Sequence, residues 1–133
     1  MLKLEHVGIA VKDIAISNAL FSSLLNTTPY KQETVESESV KTSFFKAGDT
    51  KIELLEAQNE NSAISKFIEK RGEGIHHLAF EVENIENEID RLKNEGFIFI
   101  SEKPKSGADN KRICFLHPKG TNGVLIELCE EIK

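Results

Sequence analysis

From residue 4 to 11 the chain alternates, with Val7, Ile9 and Val11 on one side and Leu4, His6, Gly8 and Ala10 on the other. That period of two predicts a half-buried strand. Asp13 is a good N-cap, and Ile14, Ala15, Leu20, Phe21, Leu24 and Leu25 form an apolar stripe at helical spacing until Asn26-Thr27-Thr28-Pro29 stops it. Strand-like runs follow at 30 to 35, 40 to 47 and 51 to 56, the last two joined by a Gly48-Asp49 hairpin turn. A short bridge comes next, in which Ser62 caps a helix bearing Ile64, Phe67 and Ile68 on one side and ending near Arg71-Gly72.

The order then repeats. Residues 75 to 82 alternate, Asn84 caps a helix with Ile85, Ile89 and Leu92 inward, and Gly96 closes it. Strands are expected at 97 to 100, 112 to 117 and 124 to 129, with Pro104-Lys105-Ser106-Gly107 and Pro118-Lys119-Gly120 as loops. The prediction is an α+β fold: paired βαβββ modules forming an open, barrel-like mixed sheet with helices outside. One domain spans 1-133, built of a module at 1-57, a bridging helix at 58-73 and a module at 74-133. No linker rich in Gly, Ser or Pro separates the halves.

The repeat extends to particular residues. Leu4-Glu5-His6-Val7-Gly8-Ile9-Ala10-Val11 returns as Ile75-His76-His77-Leu78-Ala79-Phe80-Glu81-Val82, and Lys51-Ile52-Glu53-Leu54-Leu55-Glu56 returns as Leu125-Ile126-Glu127-Leu128-Cys129-Glu130. Each module thus carries one His and one Glu at corresponding places. His6 and His77 lie on the small-residue faces of their strands, while His76 points the other way and reads as structural. A lone Glu in an Ile-Glu-Leu triplet would read as solvent-facing, because burying an unpaired carboxylate is costly. Four matched polar positions favour another reading, in which His6, Glu53, His77 and Glu127 hold one divalent metal.

Composition changes this picture little. With 39% hydrophobic and 29% charged residues the chain is an ordinary globular one. No apolar run approaches the roughly 20 residues of a membrane span, and no targeting segment precedes the first strand, so a cytoplasmic location is expected with no membrane partner. A net charge of −5 argues against nucleic acid. Between Ser101 and Gly120 the balance reverses, with Lys103, Lys105, Lys111, Arg112 and Lys119 against Glu102 and Asp109, which makes a solvated loop or a phosphate-binding patch. Cys114 and Cys129 sit inside strand runs without CxxC spacing and read as buried thiols.

Several stretches carry a resemblance: His6-Val7-Gly8-Ile9-Ala10-Val11, Ile52-Glu53-Leu54-Leu55-Glu56, Ser62 to His77 with its Gly74-Ile75-His76-His77, Leu116-His117-Pro118-Lys119, and Gly123-Val124-Leu125-Ile126-Glu127-Leu128. Together they resemble the methylmalonyl-CoA epimerases, a family within the vicinal oxygen chelate (glyoxalase) superfamily. The resemblance implies epimerisation of (2R)- and (2S)-methylmalonyl-CoA in propionate metabolism, by C2 proton abstraction through an enolate that a divalent ion stabilises as a Lewis acid. The ligand set does not choose among Co2+, Mn2+, Zn2+ and Ni2+. It also implies a homodimer, a small-molecule CoA thioester as substrate, Glu127 as both metal ligand and base, and Lys119, Arg112 and Lys105 as contacts for CoA phosphates. Val40 to Phe45, where some relatives place a second carboxylate, has none; Glu36 and Glu38 read as a solvated edge, and the second proton carrier is left open between Glu53 and a metal-bound water. Glyoxalase I-type lyases and metal-free drug-sequestering proteins share the fold. The first usually carry an Asp-Pro-Asp-Gly-Tyr type turn before the last Glu, where this chain has His117-Pro118-Lys119-Gly120, and the second have no need of four ligands. Iron dioxygenases of the fold use two histidines and one carboxylate, and Glu53 would crowd the positions oxygen requires.

Overall fold

The computed structural model describes every residue from Met1 to Lys133. Its regular elements are β1 (Lys3–Ala10), α1 (Ile14–Leu25), β2 (Lys31–Val35), β3 (Val40–Ala47), β4 (Thr50–Ala57), α2 (Ala63–Arg71), β5 (Gly74–Glu81), α3 (Ile85–Asn94), β6 (Lys105–Gly107), β7 (Lys111–Leu116) and β8 (Ile126–Glu131). Two compact units result, one of His6–His76 and one of Met1–Glu5 with His77–Lys133. No helix is long and apolar enough to cross a membrane.

In the His6–His76 unit the strands run in the order β2-β3-β4-β1. β1 pairs with β4 in parallel, and β3 pairs antiparallel with both β2 and β4. Gly48, at φ +66, supplies the left-handed conformation that the turn between Ala47 and Thr50 requires. Asp13 accepts the Ile16 N–H at 3.1 Å and starts α1, which packs Ile14, Phe21 and Leu25 on Val11, Phe45 and Leu54. Ser62 Oγ accepts the Ile64 N–H at 3.1 Å and starts α2. That helix buries Ile64, with Phe67 and Ile68, on Ala10, Val40 and Leu55, the opposite face of the same sheet. The bridging helix is therefore a structural part of this unit.

The second unit orders its strands β5-β8-β7-β6, with β5 and β8 parallel and the other pairs antiparallel. Asn84 Oδ1 accepts the Asn87 N–H at 3.0 Å, and α3 carries Glu86 and Glu88 in its first turn and Arg91 and Lys93 in its last, the arrangement its dipole favours. Ile85, Ile89 and Leu92 pack on Val82, Cys114, Leu116 and Leu128. Leu2 N–H donates to Glu81 O at 2.7 Å, which ties the N-terminal residues to this unit.

Two expectations are corrected. Ala15, Leu20 and Leu24 do not belong to the buried stripe of α1: all three are exposed, and Ser17 and Asn18 take the inward places between Ile14 and Phe21. The second strand of the second module is not at 97 to 100 but at Lys105–Gly107, inside the expected loop. The backbone at 98 to 100 does touch β7, through Ile100 N–H to Phe115 O at 2.9 Å and His117 N–H to Ile98 O at 2.7 Å, yet it forms only an isolated bridge. Pro104, without an N–H, lies between this contact and the regular ladder of β6.

Close packing at that ladder gives a stability prediction. A Cβ at Gly107 would lie 2.8 Å from Ile113 Cδ1 and 2.9 Å from its Cγ2. Gly107→Ala is expected to lower unfolding free energy by about 1–3 kcal/mol, read from the urea midpoint at unchanged m-value.

Candidate functional site

Strand register decides which side chains share a face. In the His6–His76 unit, Gly8 lies opposite Glu53 and Phe44 lies opposite Glu53 on the other flank, so His6, Gly8, Glu53 and Phe44 share one face. His6 Nε2 is 3.2 Å from Glu53 Oε1, and the imidazole meets the Phe44 ring edge-on at 6.3 Å. Beneath this, Val7, Ile9, Ile52, Leu54 and Phe45 face the other way toward α1.

The second unit repeats the arrangement. Ala79 and Phe115 both lie opposite Glu127, which puts His77, Glu127 and Phe115 on one face. His77 Nε2 is 3.4 Å from Glu127 Oε1, and its ring meets Phe115 edge-on at 5.8 Å. All four polar residues are 5% exposed or less. Each unit thus buries one imidazole–carboxylate pair against an aromatic wall. Phe44 and Phe115 were missed in the sequence, although each stands on the strand before its Glu; only the hairpin registers show that both lie opposite it.

The donor set suits a divalent cation. Neutral imidazole nitrogen and carboxylate oxygen are the ligands of first-row metals, and a cation would balance carboxylates that burial otherwise penalises. Spacings of 3.2 and 3.4 Å are those of a hydrogen-bonded pair and also close to the roughly 3.0 Å between adjacent ligands at metal bonds near 2.1 Å. Each unit is therefore compatible with divalent metal binding.

The other expected residues fall in different places. His76 meets the Phe67 ring edge-on at 5.0 Å, a packing role consistent with its opposite orientation. Cys114 and Cys129 are buried and unbridged. Burial, followed by the nearby Glu127 carboxylate, pushes the Cys114 thiol up to about 12 and raises Cys129 as well, so both stay protonated. The basic stretch does not make one patch. Lys111 is buried with Nζ donating to Asp109 O at 3.3 Å. Arg112 lies on the face opposite Glu127, where it pairs with Glu86 of α3 and, at 3.0 Å, with Glu130. Its hydrogen bonds hold the Glu86 carboxyl below the usual carboxylate range. Lys105 lies opposite Ile113 and so on the Glu127 face, exposed; Lys119 is exposed in the turn 118–120 between β7 and β8, whose N–H donates to His117 Nδ1 at 3.1 Å.

The expectation of a solvated edge holds for Glu36 but not for Glu38. The connection between β2 and β3 is a tight 3-10 turn, Glu36–Glu38, closed by Ser39 at φ 52. Glu36 is exposed, whereas Glu38 is half-buried with Oε1 withdrawn from solvent.

Residues 5–115 match the model of the Glyoxalase/Bleomycin resistance protein/Dioxygenase superfamily, and the chain belongs to it. Within that superfamily several of its relatives are named as epimerases. It is 41% identical to the ethylmalonyl-CoA/methylmalonyl-CoA epimerase of Cereibacter sphaeroides over 95% of this chain and 96% of that one. The crystal structure of methylmalonyl-CoA epimerase from Mycobacterium tuberculosis is 33% identical and superposes with a TM-score of 0.94 over 98% of this chain and 88% of the other. A variant of the Streptomyces coelicolor methylmalonyl-CoA epimerase in complex with 2-nitronate-propionyl-CoA is 29% identical, with a TM-score of 0.94 over 98% of this chain and 95% of that one. The paired βαβββ, α+β fold expected from the repeat is the fold of these proteins.

Proposed function

We propose that this chain is a methylmalonyl-CoA epimerase, and that His6, Glu53, His77 and Glu127 together hold one divalent ion. The observation that carries the reading is the buried His–Glu pair, present once in each unit at matching register, each against a phenylalanine. Relatives named for this reaction at 34–41% identity support the substrate. When bound, the ion would supply Lewis-acid polarisation of the thioester oxygen, worth several kcal/mol to the enolate.

The protein's own groups do the proton work. The C2 hydrogen lies between a thioester and a carboxylate, and inverting that carbon needs removal of a proton from one side and its return from the other. Glu127 accepts it on one side with a carboxylate oxygen not spent on the ion. Glu38 serves the other side, as a half-buried carboxylate with one oxygen drawn out of solvent. Phe44 and Phe115 keep water from the imidazoles.

For the CoA phosphates the proposal narrows to Lys119 and Lys105, because Arg112 is engaged by two carboxylates on the opposite face. Lys119→Ala is expected to raise KM about two- to fivefold, the scale of one exposed charge contact, with kcat unchanged. Arg112→Ala should leave KM within about twofold on the same scale. Steady-state kinetics with methylmalonyl-CoA checks both, and an inverted order would restore Arg112 to the substrate site.

The deciding experiment is isotope exchange. Protein loaded with Co2+ or Mn2+ should exchange the C2 hydrogen of methylmalonyl-CoA with deuterated water and interconvert the epimers. Absence of exchange with every divalent metal tried ends the epimerase reading, and turnover of the methylglyoxal–glutathione adduct instead would replace it with a lyase.

A further inference from the structure

The connection from β7 to β8, residues 117–125, is closed by its own backbone. Gly120 N–H donates to His117 O at 3.1 Å, Thr121 and Gly123 N–H to Pro118 O at 3.1 and 2.8 Å, and Val124 N–H to Thr121 O at 3.0 Å. Thr121 Oγ1 donates back to Val124 O at 2.6 Å. Asn122 and Gly123, at φ 56 and 82, take the left-handed conformations that let the chain double back. His117 N–H, donating to Ile98 O, fixes the turn to the segment beside it. A connection with its polar groups so engaged holds one shape.

One bond in this turn ends on a side chain. Pro118 has no N–H, so the first amide donor of the turn 118–120 is that of Lys119. His117 Nδ1 accepts it at 3.1 Å, from a residue in extended backbone at φ −71 and ψ 129. An N-cap Asn or Asp ordinarily fills this place, and His117 can fill it only with its ring in the Nε2–H form. The imidazole is exposed and makes this one hydrogen bond, so packing is not what it supplies. It holds the backbone of Lys119, and with it the direction in which that exposed ammonium leaves the surface.

We infer that His117 is a positioning residue for the coenzyme part of the substrate: it aims Lys119 at a phosphate and itself touches no reacting atom. The inference rests on the reading of Lys119 as a CoA phosphate contact. A lysine on a loose loop gives up both loop and side-chain freedom on meeting an anion, whereas one on a held turn gives up the side chain alone. His117 therefore acts on affinity and not on the chemical step. Because it acts through Lys119, its effect does not exceed that of Lys119 itself, about two- to fivefold in KM. The two residues work in series, so their losses do not add.

Steady-state kinetics with two substrates separates this role from a merely structural one: methylmalonyl-CoA, and the methylmalonyl thioester of pantetheine, which lacks the phosphates. His117→Ala is expected to raise KM about two- to fivefold for the first with kcat unchanged, and to leave KM for the second at the native value. His117→Asn, whose Oδ1 can take the same N–H, should restore the native KM, and His117→Ala combined with Lys119→Ala should show the KM of Lys119→Ala alone. Amide hydrogen exchange of the substrate-free protein reads the cap directly: the Lys119 N–H should exchange faster in His117→Ala and regain native protection in His117→Asn. A native KM in His117→Ala, an equal rise for both thioesters, an additive double variant or an unchanged Lys119 amide overturns the role while the native chain still epimerises. A wild-type chain that turns over neither thioester ends the epimerase reading, and the role with it.

Discussion

Glu127→Gln is expected to reduce C2 hydrogen exchange of methylmalonyl-CoA by about 10²–10⁴-fold, the contribution typical of a positioned general base. Gln keeps a carbonyl oxygen that can still ligate an ion and is nearly isosteric, so the buried contact with His77, 3.4 Å in the native chain, loses its charge without losing volume. It cannot accept the proton. The variant should therefore retain its divalent metal, measured by metal analysis after dialysis, and lose exchange for both epimers. A variant that exchanges at the native rate would remove Glu127 from the proton path. One that has lost the ion as well would show only that Glu127 is needed as a ligand, and Glu127→Asp, which keeps both oxygens on a shorter arm, separates the cases: if Glu127 is a ligand only, Asp should restore metal and exchange together, whereas metal restored without exchange keeps Glu127 as the base.

How far the sequence discloses this site follows from the kind of signal each residue carries. His6, Glu53, His77 and Glu127 are legible because strand alternation assigns faces and the internal repeat supplies a second, independent copy of each assignment. The structure pairs each His with the Glu of its own module, a detail alternation cannot provide, since it depends on which strands are neighbours. The aromatic walls Phe44 and Phe115 escaped for the same reason: facing a Glu is a matter of cross-strand register, set by the Gly48-Asp49 turn in one unit and by the longer β7–β8 connection in the other.

What the chain's pattern leaves undecided has a common physical origin as well. Leu20 and Leu24 look inward to a rule that buries apolar residues, but a helix has one inward face about 100° wide, and Ile14, Phe21 and Leu25 already occupy it. Arg112 looked like a phosphate contact because it lies in a basic stretch. Yet alternation along β7 sends it to the face opposite Phe115 and Glu127, where Glu86 and Glu130 receive it. Charge counted along the chain mixes residues that a strand sends to opposite sides.

Glu38 is the sharper case, because its role decides whether the two sides of the substrate have separate proton carriers. If Glu127 serves one side and Glu38 the other, Glu38→Gln should split two activities that are joined in the native protein. Exchange from the epimer whose hydrogen faces Glu127 should persist within about a factor of ten, while exchange from the other epimer and net epimerisation should fall about 10²–10⁴-fold. Glu36→Gln, two residues away on the exposed side of the same turn, should change neither. The readout is the deuterium content of each epimer incubated separately in deuterated water. Equal loss for both epimers would mean that Glu38 acts on binding or folding rather than on one proton. No loss for either would give the second position to Glu53, whose carboxylate stands 3.2 Å from His6. Only the unequal result is compatible with Glu38 and Glu127 as the two carboxylates on opposite sides of one carbon, because removing a base that serves one side alone slows exchange from one epimer alone.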